Sequence, residues 1–317
     1  MIIALNSKMM NKLYKALKEL FSKQNDFFQL AKKGKRITHI ALAIPMLVVL
    51  FFAGFIVSGL IFYPIINKFF EVNEVWFSFY NLFVSFGFVI IFVWIWVRFF
   101  EERSFITLGF NLNGALKKYL KGFFVGALML IIVIGLMSII GNVDILDNSE
   151  HFGINGLGII SLLLLGYMVQ GAAEEIIARG WQFQVIGARY KPWLGAVISS
   201  VIFALLHGFN SGINLLALIN LTLFAFLLIF MILHDKSIWS ACGWHTAWNW
   251  TMENVFGLKV SGTEGIVSVF KFKTEGPAII TGGDFGPEAS ILTSIVLIGG
   301  MIYILVVSKN KSKTNET

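Results

Sequence analysis

Three groups of polar side chains interrupt long apolar stretches of this sequence. Within each group the key spacing is four residues, which places side chains on one face of a helix. A charged group at the centre of a membrane costs roughly 2.5 kcal/mol or more, so we interpret the groups as the lining of one functional polar cavity. The groups are Glu174, Glu175 and Arg179; Phe203 and His207; and His245 and Asn249.

The two adjacent acids differ in their neighbours along the helix. Glu175 precedes Arg179 by four residues, which is the better orientation for an ion pair within a helix. Glu174 points about 100° away around the helix axis and has no basic residue one turn on. We therefore predict that Glu174 is the reacting group and that Glu175 supports it, anchored by Arg179.

A carboxylate, two imidazoles and an amide suit the hydrolysis of an amide bond. A Glu side chain can take a proton from water and make it a nucleophile. His and Asn side chains can donate hydrogen bonds to the oxyanion that develops. The sequence has no Gly-rich phosphate-binding loop and no GxSxG nucleophile elbow. These features predict a peptide hydrolase that uses no cofactor.

Two other catalytic interpretations remain open from the sequence. A carboxylate and two histidines could bind Zn²⁺, although the HExxH signature is absent. Cys242, the only cysteine, stands three residues before His245 and could be a nucleophile with that histidine as its base. Inhibition by a chelator would indicate the zinc site, and loss of activity in Cys242→Ser would indicate the thiol.

The alternative from another class is a membrane protein that catalyses nothing. Inward-facing Glu and His side chains also suit a proton relay in a transporter, or an immunity factor that binds a peptide. The sequence shows no internal repeat of the kind found in many transporters. The three groups contain more titratable side chains than peptide binding needs, which favours a peptidase.

The composition identifies an integral membrane protein. Of the 317 residues, 57% are hydrophobic and 14% are charged, against about 45–50% and about 25% in soluble domains. The net charge of +7 does not indicate nucleic-acid binding, because the basic residues gather at the N-terminus and at the ends of apolar stretches.

The apolar stretches predict an all-α fold, a polytopic membrane helix bundle of about eight transmembrane helices. Lys and Arg concentrate in the leader, in the segment 98–121 and in the tail, so both termini are predicted to be cytoplasmic. The predicted spans are 37–62, 76–98, 122–141, 158–186, 192–208, 214–233, 237–256 and 290–307.

The spans divide the chain into four parts, of which the third holds all three polar groups. The parts are a basic amphipathic cytoplasmic leader, 1–36; an N-terminal transmembrane pair with a basic linker, 37–121; a catalytic core with a Gly/Pro-rich loop at 257–289, residues 122–307; and a basic cytoplasmic tail, 308–317.

The depth of the polar groups presents a difficulty for this arrangement. Counted from the starts of their spans, Glu174 is expected near the cytoplasmic side and His207 near the outer side. The two can meet only if the fourth span extends deeper than predicted, or if the fifth begins within the membrane.

The three groups resemble the motifs of a known family. EExxxR at 174–179, FxxxH at 203–207 and HxxxN at 245–249 occur in this order on separate apolar segments. They closely resemble the motifs of the CAAX protease and bacteriocin-processing family, the abortive-infection-like intramembrane glutamic endopeptidases. The resemblance covers roughly residues 100 to 307.

The resemblance implies a role for each of the first two motifs. Glu174 would activate the attacking water, with Glu175 and Arg179 supporting it. His207 would position that water or the reacting carbonyl. No metal would be required.

The third motif and two aromatic residues complete the predicted site. The resemblance implies that His245 and Asn249 stabilise the oxyanion. Phe203 and Trp248 are predicted to bind the substrate, because aromatic side chains in a membrane cavity suit a hydrophobic peptide. Trp181 and Trp244 are further candidates for the cavity lining.

The family also implies a substrate class and a location. Its members cleave isoprenylated C-terminal motifs in eukaryotes, and bacterial relatives are linked to peptide export, bacteriocin maturation or self-immunity. The many Lys, Asn, Ile and Phe residues resemble the composition of an AT-rich bacterium. We expect a multi-pass protein of a bacterial plasma membrane, whose partners are lipid and a hydrophobic or membrane-associated peptide, with no nucleic acid.

Overall fold

A computed structural model describes residues 2–69, 72–146 and 154–314. These residues form a helix bundle with one two-stranded antiparallel ribbon. The helices, in chain order, are α1 Ile2–Leu20, α2 Asp26–Ala31, α3 Ile40–Phe69, α4 Glu74–Phe100, α5 Ala115–Ile139, α6 Gly156–Arg189, α7 Pro192–Phe209, α8 Leu215–Asp235, α9 Trp239–Trp250 and α10 Ile291–Thr314. The strands are β1 Val143–Leu146 and β2 Lys271–Thr274. Shorter helical turns are Phe105–Leu108, Ala278–Thr281, Gly283–Phe285 and Pro287–Ala289.

Seven helices are long and apolar enough to cross a membrane, namely α3 to α8 and α10. This confirms the predicted all-α, polytopic membrane bundle. The eighth predicted span, 237–256, is represented by α9 and a π-helical turn, Thr251–Val255. Every residue from Ser240 to Asn249 is buried. Because other helices surround α9, it can carry polar groups that a helix facing lipid could not.

Glycines bring α9 against α5 almost backbone to backbone. A Cβ atom added at Gly122 of α5 would lie 2.0 Å from the Ser240 carbonyl oxygen, and one at Gly126 would lie 2.5 Å from that of Trp244. On α9, a Cβ atom at Gly243 would lie 2.1 Å from the Tyr119 carbonyl oxygen. Small residues at such positions let membrane helices approach closely. Gly122 and Gly126 meet Ser240 and Trp244 in the same order along the two helices, so α5 and α9 run parallel.

The helical hairpin of α6 and α7 removes the predicted difficulty of depth. Helix α6 has 34 residues, ends at Arg189, and is followed almost at once by α7 at Pro192. Glu174 stands fifteen residues before Arg189, and His207 stands fifteen residues after Pro192. At 1.5 Å per residue, both lie about 22 Å from the turn of the hairpin. The hairpin therefore places Glu174 and His207 at the same height, as the two groups must be if they are to meet.

A buried ion pair in the 98–121 linker fastens α6 to the N-terminal helices. Arg103 Nε donates to Glu101 Oε2 at 2.6 Å, and both side chains are fully buried. Trp181 Nε1 donates to Glu101 Oε1 at 3.1 Å, and Arg103 Nη1 donates to Gln184 Oε1 at 2.7 Å. Burial lowers the pKa of the Arg103 guanidinium, and the adjacent Glu101 opposes that shift. Arg103 therefore serves as a structural cation, in addition to its predicted place among the basic linker residues.

The predicted leader and loop both contain ordered elements. Helix α1 contacts α8 and α10 and buries Ala16 and Leu20. In the 257–289 loop, β2 pairs with β1, so that Val143 lies opposite Thr274. The ribbon therefore joins the end of α5 to the loop that follows α9.

We predict that the α5–α9 contact tolerates no side chain at Gly122. Gly122→Ala should lower the free energy of unfolding by about 1–3 kcal/mol, because a methyl group placed against backbone cannot be relieved by a rotamer change. Thermal unfolding in detergent measures this loss. The matched control is Gly135→Ala on the same helix, where an added Cβ atom meets nothing within 4 Å. Equal behaviour of the two variants would contradict the predicted contact.

Candidate active site

Helices α6, α7 and α9 bring the three predicted groups to one cavity. The cavity has a volume of about 510 Å³, and its lining includes five of the seven residues of the three groups. Those five are Glu174, Phe203, His207, His245 and Asn249. Glu175 and Arg179 lie behind this lining and are fully buried.

Close packing of α6 on α9 allows the side chains to meet. A Cβ atom added at Gly171 of α6 would lie 3.1 Å from the backbone nitrogen of Thr246 on α9. Directly after Glu175, α6 continues as a π-helical segment, Ile176–Phe183. Segments of this kind occur often at functional sites, because the wider turn changes the direction of the side chains that follow.

Glu175 is held by two cationic or hydrogen-donating groups. Arg179 Nη1 donates to Glu175 Oε1 at 2.9 Å. His245 Nδ1 lies 2.8 Å from the same oxygen. Since an ionised carboxylate paired with arginine only accepts hydrogen bonds, Nδ1 carries the proton in this contact. This bond fixes the orientation of the imidazole and leaves Nε2 as its second reactive atom.

Glu174 faces the cavity, whereas its neighbour does not. Glu174 is 9% exposed and Glu175 is 0% exposed. Gln170 Nε2 donates to Glu174 Oε1 at 2.6 Å. Glu174 Oε2 has no hydrogen-bond partner among the described residues and lies 3.7 Å from His245 Nε2. The two acids are thus distinct in environment: Glu175 is enclosed in an ion pair, whereas Glu174 lines the cavity and keeps one buried oxygen, Oε2, without a hydrogen-bond partner among the described residues.

The second motif places an aromatic ring and an imidazole on the opposite wall. The Arg179 guanidinium lies 4.0 Å from the centre of the Phe203 ring, within the range of a cation–π interaction. His207 Nδ1 lies 2.9 Å from the Phe203 carbonyl oxygen, so Nδ1 donates to that acceptor. Nε2 of His207 therefore remains as its proton acceptor.

Aromatic residues predicted to line the cavity lie behind its wall. Trp248 is fully buried, stacks on Trp244 at 4.8 Å between ring centres, and donates from Nε1 to Glu288 Oε1 at 3.2 Å. Trp181 is also fully buried and donates to Glu101. These three indoles do not belong to the residues that line the cavity.

A second, apolar cavity of about 410 Å³ meets the first at the acid. It shares five lining residues with the first cavity, namely Phe86, Glu174, Phe203, His207 and Asn210. Its other walls are mostly apolar and include Phe52 and Phe209, which are exposed on the surface of the bundle. Glu174 therefore lies where the first cavity, which is lined by residues of all three motifs, joins the second, apolar cavity.

Sequence reasoning missed polar residues that continue the same helix faces. Gln170 stands four residues before Glu174, and Glu253 stands four residues after Asn249. Both line the cavity, and Tyr167 donates to Glu253 Oε2 at 2.7 Å. The signal in the sequence was the four-residue spacing, which continues for one helical turn before Glu174 and one helical turn after Asn249.

The alternative catalytic groups are placed as follows. Cys242 is buried and does not line the cavity. In the parts of the chain that the structure describes, no three His, Cys, Asp or Glu side chains gather as a metal-binding set. His245 and Glu174 are close enough to share one ion, but a third such ligand does not join them there.

Comparison with known proteins supports the resemblance seen in the motifs. Residues 156–251 match the family model described as type II CAAX prenyl endopeptidase Rce1-like. This segment is shorter than the range of roughly 100 to 307 over which the sequence resembles the family, but it contains all three motifs. No curated protein and no solved structure gives a significant match. The seven apolar helices are those of a multi-pass membrane protein, and its segment 156–251, which carries the three motifs, is similar to the Rce1-like CAAX protease family.

Proposed function

We propose that this chain is an intramembrane endopeptidase in which Glu174 activates water to hydrolyse a peptide bond. The observation that carries this proposal is the unequal placement of the two acids. Glu175 is enclosed by Arg179 and His245, whereas Glu174 lines the cavity with Oε2 directed away from its protein partner. A general base must reach the proton that it removes, and Glu174 is the acid that can do so.

The reaction follows from these positions. Glu174 Oε2 takes a proton from water, and the resulting hydroxide attacks the carbonyl carbon of the scissile bond. The tetrahedral intermediate then collapses, the C–N bond breaks, and the proton on Glu174 passes to the leaving amine. His207, on the opposite wall, positions the water or the carbonyl through its Nε2.

His245 and Asn249 are proposed to stabilise the oxyanion. Glu175 would stabilise the positive charge of a doubly protonated His245, whose Nε2–H then donates to the oxyanion. Asn249 uses one N–H to donate to Gln170 Oε1 at 3.1 Å, and its second N–H is available to the oxyanion. Glu175 and Arg179 keep these donors in place without contacting the substrate.

The proposed substrate is a hydrophobic or membrane-associated peptide. An apolar cavity meets the acid, and Phe203 lines both cavities, so an apolar segment of the substrate fits beside the scissile bond. Trp248 would influence substrate binding through the wall it supports. We propose a bacterial plasma membrane as the location, with a role in peptide maturation, export or bacteriocin self-immunity.

Two alternatives are distinguished by experiment. A zinc metalloprotease would use Glu174 with His245 as ligands and would lose activity with a chelator. A peptide-binding or immunity protein without catalysis would keep its effect in cells when the acid is neutralised.

We predict that Glu174→Gln abolishes peptide cleavage by purified protein in detergent. The loss should be at least about 100-fold in kcat/KM, because the amide cannot accept the proton of water. Cleavage of a fluorogenic library of hydrophobic peptides, with and without 1,10-phenanthroline, measures this. Glu102→Gln, which changes a half-buried acid paired with Lys35 and outside the cavity lining, is the control and should cleave normally.

The result separates the three interpretations. Activity that survives the chelator and is lost in Glu174→Gln supports the proposal. Activity lost with the chelator indicates zinc. A wild-type protein that cleaves nothing, with a Glu174→Gln variant that still provides the effect of the intact gene in cells, indicates a binding protein.

We predict that the Glu175–Arg179 pair is needed for stability as well as activity. Replacing either partner alone by Gln should cost about 3–5 kcal/mol of folding free energy, because a buried charge is left without its partner. The double variant should recover much of this loss but none of the activity. Thermal unfolding of the two single variants and the double variant measures the coupling. Purely additive losses would mean that the two charges do not interact.

A further inference from the structure

We infer that Gln170 is a positioning residue that determines which oxygen of Glu174 acts as the base. This inference rests on the proposed function and adds to it a residue outside the three motifs. Gln170 stands one helical turn before Glu174, is 7% exposed and lines the cavity. Its side chain bonds to Glu174 and to Asn249, so its effect passes through these two groups.

The contact with Glu174 is short and involves a charge. Gln170 Nε2 donates to Glu174 Oε1 at 2.6 Å, at the short end for a hydrogen bond from nitrogen to a carboxylate. This bond occupies one carboxylate oxygen and stops the carboxylate from rotating freely. The other oxygen, Oε2, is thereby held toward His245 Nε2, at 3.7 Å. A water molecule bound to Oε2 is therefore in a fixed place relative to the oxyanion donors.

The contact with Asn249 depends on the orientation of the Gln170 amide group. Because the Glu174 carboxylate accepts only, Gln170 must present its NH₂ group to Glu174 and its carbonyl oxygen to Asn249. That oxygen accepts from Asn249 Nδ2 at 3.1 Å. The Glu174 carboxylate thus sets the orientation of the Gln170 amide, and the Gln170 amide sets the orientation of the Asn249 amide. Gln170 thereby connects the general base on α6 to the proposed oxyanion donor on α9.

A second buried glutamine on the same helix shows what a structural role looks like. Gln182 is fully buried on α6, and its Nε2 donates to the Ala43 carbonyl oxygen at 3.0 Å. Among the described residues, its side chain forms no hydrogen bond with either acid or with another residue of the three motifs. Gln182→Leu therefore matches Gln170→Leu in residue type, burial and helix, and differs in its distance from the chemistry.

The test compares Gln170→Leu, Gln170→Glu and Gln182→Leu with the wild type. The measurement is the pH dependence of kcat/KM for a peptide that the wild type cleaves. Losing a hydrogen bond to the charged carboxylate favours its neutral form, so Gln170→Leu should move the acid limb upward by about one pH unit. Gln170→Glu places a second negative charge beside Glu174 and should move the limb further in the same direction. Gln182→Leu should leave the limb where it is.

An infrared titration provides a readout that needs no substrate. The C=O stretch of the protonated Glu174 carboxyl is identified by its absence in Glu174→Gln. In Gln170→Leu the midpoint of this band should rise and its frequency should increase, because the hydrogen bond is lost. Gln182→Leu should show neither change.

The outcomes separate this inference from the proposed function. A folded Gln170→Leu variant with the wild-type acid limb, or with a wild-type infrared titration, overturns the inference and leaves the role of Glu174 intact. A Glu174→Gln variant that cleaves peptide overturns the proposed function itself. Parallel shifts in Gln170→Leu and Gln182→Leu would show a general effect of disturbing α6, and would also overturn the inference.

Discussion

The charge of Glu175 is the constraint on which the rest of this site depends. A carboxylate with no exposed surface must be compensated within the protein, since the cost of leaving it unpaired is several kcal/mol. Arg179, one turn along the same helix, supplies the opposite charge, and His245 supplies a second donor from α9. The bond to His245 requires α9 to lie at a set distance and rotation from α6. The Glu175 Oε1 atom therefore constrains the position of α9 relative to α6.

This requirement explains why a polar helix lies inside an apolar bundle. Helix α9 carries His245 and Asn249, and the π-helical turn after it carries Glu253, so this segment would be unstable against lipid. It is covered by α5, whose glycines at 122 and 126 allow backbone contact. The helices that surround α9 thus enclose its residues from Ser240 to Asn249. What remains open is the cavity on the side of Glu174.

The sequence predicted the helix bundle and brought together the right segments, because both depend on local patterns. Long apolar stretches reveal spanning helices, and the four-residue spacing reveals which side chains share a face. The count of spans differed at α9, because α9 with its 12 residues and the following π-helical turn with 5 are together shorter than the roughly 20 residues that cross a membrane.

Contacts between helices were harder to predict than contacts within one. The pairing of Glu175 with Arg179 follows from spacing, but the pairing with His245 depends on the rotation of α9. The indoles of Trp181, Trp244 and Trp248 were expected at the cavity, yet lie behind it. A membrane tryptophan packs equally well in either place, and its sequence neighbours do not distinguish the two. Hydrogen bonds from their ring nitrogens to acids and to the Met129 sulfur hold them in the wall.

The walls of the cavity come from two sources that can change independently. The proposed reacting groups belong to α6, α7 and α9, within the segment 156–251 that matches the family model. Much of the remaining cavity lining comes from α4, through Phe77, Asn81 and Phe86, and from residues between Val260 and Glu288 in the loop before α10. Substitutions in those two regions alter the shape offered to a peptide without touching a reacting atom. Descendants of one ancestral chain could therefore diverge in what they cleave while keeping the same chemistry.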